Sequence, residues 1–129
     1  MPRSAREQGF SRRHRFAARG SFGPVLRAGK KVRATMVVVH ALPGGSGASR
    51  LGIALTRRLV PSSVDRSRLK RVMREIFRRH ALKHDGLDCV VALRQRFDAA
   101  GADAIRAEVA GLFDRLHETG NRLKEAEVG

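Results

Sequence analysis

The stretch Val64-Asp65-Arg66-Ser67-Arg68-Leu69-Lys70-Arg71-Val72-Met73-Arg74-Glu75-Ile76-Phe77-Arg78 decides how this chain of 129 residues is read. At about 100° per residue, Val72, Ile76, Leu69, Met73 and Phe77 fall within one continuous arc of roughly 140°, the stripe that an amphipathic helix turns to a core. On the opposite side Arg74, Ser67, Arg78 and Arg71 crowd into about 60°, with Lys70 and Arg68 on the flanks. Glu75 is the only acid among residues 66 to 80. Like charges three or four residues apart cost a helix ~0.2–0.5 kcal/mol per pair, so the stripe destabilises the free protein and an anionic ligand would offset that cost. Guanidinium forks grip phosphate oxygens in pairs, and every phosphate neutralised releases condensed counterion.

The charge around this helix has the same sense. Residues 1 to 80 hold 20 Lys or Arg against 3 acids, whereas residues 81 to 129 hold 7 against 9, within a net charge of +15 and a pI of about 11.8. A device for solubility would be spread evenly; this asymmetry builds one strongly positive surface, for which polyphosphate is the natural partner. The single cysteine, Cys89, excludes an intramolecular disulfide and fits a reducing cytoplasm. No apolar run approaches the ~20 residues that cross a bilayer. The segment from Met1 to Phe22 is Arg-rich and nearly acid-free, as transit peptides are, but lacks a secretory apolar region.

Working outward, Pro61 interrupts the chain, Ser62 or Ser63 caps the helix, and Asp65 in its first turn suits the positive helix end. The helix is expected to run to about Lys83. Before it, residues 34 to 42 read as a buried strand, Pro43 to Ser49 as a loop, and Leu51 to Thr56 as a second strand, most simply joined as a hairpin. Earlier still, Ser21 caps a short helix carrying Phe22, Val25 and Leu26 on one face, stopped by Gly29. After the break at Asp85-Gly86, residues 88 to 93 give a third strand. A last helix from Ala99 to about Leu123 turns Ile105, Val109, Leu112, Phe113 and Leu116 to the core. Residues 1–15 read as a flexible basic arm, 16–123 as one α/β domain and 124–129 as a tail; no internal repeat is present.

The quoted helix closely resembles that of the bacterial ribonuclease P protein subunit, whose core is Arg-Asn-Arg, two residues, Arg, two residues, Arg-Glu. The likeness extends to Arg12–Phe16, to Ser21-Phe22 with Val25 and Gly29, to Leu51-Gly52-Ile53 ending in Thr56-Arg57-Arg58, and to Asp88-Cys89-Val90-Val91-Ala92. It thus covers about residues 10 to 97. Ser67 stands where the family usually has Asn, and Val60-Pro61-Ser62 replaces a turn that commonly contains Gly.

The resemblance implies an α+β sandwich, a small mixed sheet of three to four strands with three helices in the order α-β-β-α-β-α, and a left-handed crossover between the strands that flank the basic helix. The general rule is right-handed in ~98% of cases. It also implies an accessory subunit of a ribonucleoprotein endoribonuclease, in which a catalytic RNA, not protein side chains, removes the 5′ leader of precursor tRNA. By carry-over Arg66, Ser67, Arg68, Lys70, Arg71 and Arg74, with Arg78, Arg57 and Arg58, would meet the catalytic RNA. Phe22, Leu26 and His40 would line a cleft for the leader of precursor tRNA. Mg²⁺ would be bound mainly by the RNA, the protein lowering the amount required, and neither a membrane nor a protein partner is implied. No residue is expected to be catalytic or to ligate a metal: His14, His80, His84 and His117 have no partner at triad or metal spacing, and Asp85, Asp88 and Asp98 none at helical spacing. The rival readings are a structural ribosomal protein of the small basic α/β type and a duplex-DNA regulator, the latter lacking a helix-turn-helix pair.

Overall fold

The computed structural model describes residues 22–44 and 47–128, so the basic arm at 1–15 and the capping residue Ser21 lie outside the described residues. Helix α1 (Phe22–Ala28) leads into strands β1 (Lys30–Arg33), β2 (Val37–Pro43) and β3 (Arg50–Ala54). Helix α2 (Ser63–Arg79), strand β4 (Leu87–Leu93) and helix α3 (Ala102–Val128) follow, with single 3₁₀ turns at Ala81–His84 and Ala99–Gly101.

The sheet runs in the order β1-β2-β4-β3. β1, β2 and β4 pair antiparallel in turn, whereas β3 pairs parallel with β4, Leu51 opposite Cys89 and Ile53 opposite Val91. The expected hairpin between the second and third of these strands is therefore absent. β4 sits between them because its run Cys89-Val90-Val91, wholly buried, needs partners on both edges. β1 was not expected at all: three of its four residues are cations, and it is held as a strand by its pairing with β2 rather than by apolar content.

Alternation sorts the sheet into two faces. Val32, Val37, Val39, Ala41, Leu51, Cys89, Val91 and Leu93 join Leu69, Met73 and Phe77 of α2 and Ile105, Val109, Leu112, Phe113 and Leu116 of α3 in one aliphatic core. Phe77 and Phe113 meet edge to face at 5.8 Å. The other face carries α1 across β2 and β4, with Val25 and Val90 buried there. Gly29 ends α1 because a Cβ would come within 2.8 Å of the Ala41 carbonyl and 2.4 Å of the Val25 carbonyl. The sheet is thus a slab between α1 and the α2–α3 pair.

The basic helix stops at Arg79, short of the expected Lys83. The His80 N–H still bonds the Phe77 carbonyl, but its extended backbone (ψ 141°) breaks the helix and starts a 3₁₀ turn. Its amino-terminal cap is Ser62, whose hydroxyl accepts from the Asp65 N–H at 3.3 Å. α3 begins three residues later than expected, because Asp98 caps the preceding 3₁₀ turn by accepting from the Ala100 N–H at 3.1 Å.

Candidate nucleic-acid interface

Burying Leu69, Met73 and Phe77 turns the rest of α2 outward, and Ser67, Arg68 and Arg71 are exposed. With Ser63 and Val64 they line an open depression of about 340 Å³ along the helix. Val64 is 57% exposed, an apolar side chain left among cations. Lys70 and Arg74 are half-buried on the flanks, while Val72 and Ile76 are only half-buried, so the core-facing arc is narrower than the spacing predicts.

The remaining arginines are spoken for within the fold. The Arg66 guanidinium bends back and donates from Nη1 to the carbonyls of Val60 at 2.7 Å and Pro61 at 3.0 Å, tying the first helical turn to the preceding loop. Arg78 forms an ion pair with Glu75, and Arg79 Nε reaches the same carboxylate at 3.0 Å. The Arg78 hydrogen bond, with the charges of both arginines, holds the Glu75 carboxyl below the ordinary carboxylate range. Glu75 therefore neutralises the carboxy-terminal end of the stripe.

Arg57 and Arg58 extend the same positive surface from the turn before α2, and both are exposed. That turn is closed by Val60 N–H donating to the Thr56 carbonyl at 2.8 Å, and pinned across the chain by Phe97 N–H on the Leu59 carbonyl at 2.8 Å.

On the opposite side of the sheet, His40 shares a face with Val90 and α1, is half-buried, and leaves Nδ1 buried without a hydrogen-bond partner. Burial, and then the charge of Lys31 directly across the strand pair, lower its pKa from 6.5, which keeps the ring neutral near pH 7. Leu26 of α1 is 38% exposed, a large apolar side chain presented to solvent. The side chain of Phe22, the third residue assigned to this cleft, lies outside the described residues. The cationic helix packs on one face of the sheet and α1 on the other.

Sequence reasoning missed two polar pairs that tie the ends of the 3₁₀ turn after α2 to α3. His80 accepts from the Leu82 N–H through Nδ1 at 2.9 Å, so Nε2 carries the proton and donates to Asp114 at 2.6 Å. His117 Nδ1 meets Asp85 at 2.6 Å, and the two rings stand 5.9 Å apart. Partners 32 to 34 residues distant leave no local spacing to read. The other carboxylates in question have separate partners: Asp88 takes Arg50 in a two-point pair at 2.8 and 2.6 Å, and Asp98 is a cap. Among the described residues no three His, Cys, Asp or Glu side chains converge to hold an ion. No helix among them is long and apolar enough to cross a membrane.

These features define a class, the small α/β protein that lays one cation-bearing helix on one face of a mixed sheet and a short helix on the other. The chain belongs to the ribonuclease P protein component family, for the family model described as Ribonuclease P matches residues 10–117. The ribonuclease P protein component of Chromohalobacter salexigens is 33% identical over 113 residues, covering 87% of this chain and 88% of that one. Among solved structures, the RNase P protein from Thermotoga maritima is 32% identical, with a TM-score of 0.64 over 78% of this chain and 96% of that one. A Staphylococcus aureus RNase P protein mutant with defective mRNA degradation activity shares the fold, with a TM-score of 0.67 over 88% of this chain and 94% of that one, at 22% identity.

Proposed function

We propose that this chain is the accessory subunit of a cytoplasmic ribonucleoprotein endoribonuclease that matures the 5′ end of tRNA, the bond-breaking being done by a catalytic RNA. The outer face of α2 grips that RNA through Ser67, Arg68, Lys70, Arg71 and Arg74, with Arg57 and Arg58 adding contacts from the turn. Arg66 and Arg78 shape the surface through their bonds to the loop and to Glu75 and keep further N–H donors for phosphate. The face of the sheet under α1 receives the single-stranded leader of precursor tRNA beside Phe22, Leu26 and His40. A neutral histidine stacks on a base and exchanges hydrogen bonds with it, and stacking is worth ~1–3 kcal/mol per base.

The observation that supports this best is the exposure of Ser67, Arg68 and Arg71 on the same helix whose other side is buried core. Cations held rigidly at crowded phosphates lower the Mg²⁺ that RNA needs to fold, the ions themselves staying on the RNA. The test is 5′ cleavage of precursor tRNA by the catalytic RNA, titrated with Mg²⁺, with and without this protein. Cleavage at lower Mg²⁺ when the protein is present is expected. Unchanged Mg²⁺ dependence would refute the proposal and favour a structural ribosomal protein.

A further inference from the structure

The edge strand β1 carries Lys30, Lys31 and Arg33, all exposed, around the single buried Val32. Its register sets Lys31 opposite His40 and Arg33 opposite Val38, so alternation puts both cations on the α1 side of the sheet, in line with the cleft. Two residues along a strand separate them by about 7 Å, comparable to neighbouring phosphates on an extended single strand. Arg27 lies in the last turn of α1, three residues ahead of β1. Arg115 and Arg94 close its far end, donating to the Arg33 carbonyl at 3.3 Å and the Ala34 carbonyl at 2.5 Å. No Asp or Glu occurs between Gln8 and Val64, so no acid on α1, β1 or β2 compensates this rim.

We propose that Lys31 and Arg33 form a phosphate rail that carries the backbone of the precursor-tRNA leader along the β1 edge while its bases turn inward to His40. This rests on the leader-cleft reading above and adds two positioning residues to it. The occupant follows from charge complementarity and from shape: an extended strand fits a straight edge. His40, half-buried on the same face and directly opposite Lys31, supplies the ring on which a base would stack. Edge lysines also discourage strands from pairing between molecules, a role that would need no cation aligned with the cleft.

The experiment uses the full chain assembled with its catalytic RNA, and measures affinity for leader-bearing precursor tRNA and for mature tRNA across a KCl series. Wild type is expected to favour the precursor. Lys31→Gln with Arg33→Gln should reduce the slope of log affinity against log salt for the precursor by about 1.4, and each single change by about 0.7, the value per phosphate on a single strand. Mature tRNA should be unaffected, and Arg106→Gln, an exposed change on α3, should alter neither. A double variant that keeps its preference for the precursor, even if light scattering shows it to aggregate, assigns β1 to edge protection and overturns the rail. Equal losses on both RNAs overturn it too, by making the rim a contact for folded RNA. A wild type without any preference for the precursor removes the cleft reading itself.

Discussion

Replacing Arg68 and Arg71 together by Gln separates RNA binding from folding, because both side chains are exposed and neither supports the core. On the helix the double change deletes two like-charge neighbours, Arg68 with Arg71 and Arg71 with Arg74. It also deletes two opposite-charge neighbours, Asp65 with Arg68 and Arg71 with Glu75. At ~0.2–0.5 kcal/mol per pair these nearly cancel, leaving a net change within about 0.5 kcal/mol. For a chain of this size that moves the melting temperature by no more than about 3 °C. Binding responds differently: two phosphates lose their partners, and the slope of log affinity against log salt falls by about 1.4 to 1.8. The assays are thermal melting followed by circular dichroism, and filter binding of the catalytic RNA from 50 to 400 mM KCl, values chosen to span roughly physiological ionic strength. A melting temperature lowered by more than about 10 °C, or a salt slope left unchanged, would refute the outward placement of the stripe or its role.

Phe77→Ala should cost ~3–5 kcal/mol, read by urea unfolding, because the ring is fully buried and loses its edge contact with Phe113. Arg50→Met strands the Asp88 carboxylate, itself 8% exposed, and should cost about 1–3 kcal/mol in the same assay, whereas replacing both partners by apolar residues should cost less. Burial first, then the carboxylates of Asp88 and Asp85, push the Cys89 thiol up to about 12, so iodoacetamide at pH 8 should label it only in urea. Because that folded value lies above the model-peptide value of 9.0, this thiol's contribution to stability is complete below pH 9. It declines as pH rises towards 12, an alkaline loss that Cys89→Ala should abolish.

Much of the fold could be read before any coordinates, for reasons that are local. The stripe of Leu69, Met73 and Phe77, the spacing of Ile105, Val109, Leu112, Phe113 and Leu116, and the Ser62 cap all lie within a few turns of one helix, where periodicity speaks directly. The β1 strand escaped because Lys30, Lys31 and Arg33 look like any basic linker until β2 supplies hydrogen bonds. The strand order escaped because alternation says which face a residue takes but not which neighbour it pairs with. Within the candidate site, the outward set of Ser67, Arg68 and Arg71 was legible from the wheel. The inward turn of Arg66 was not, since it depends on where Val60 and Pro61 present their carbonyls. The His80–Asp114 and His117–Asp85 pairs belong to tertiary geometry alone.

The position of β4 in the middle of the sheet has a consequence for biogenesis. While the ribosome has released only the residues up to Arg79, β1 and β2 can zip together, but β3 has no adjacent strand and the underside of α2 lacks the β4 and α3 side chains that complete its core. Leu87 to Leu93 must emerge before either is anchored. Until then the nascent chain trails an unsupported polycation beside ribosomal RNA. Final assembly of this protein is therefore a late, non-local event, completed by a strand made after the helix it secures.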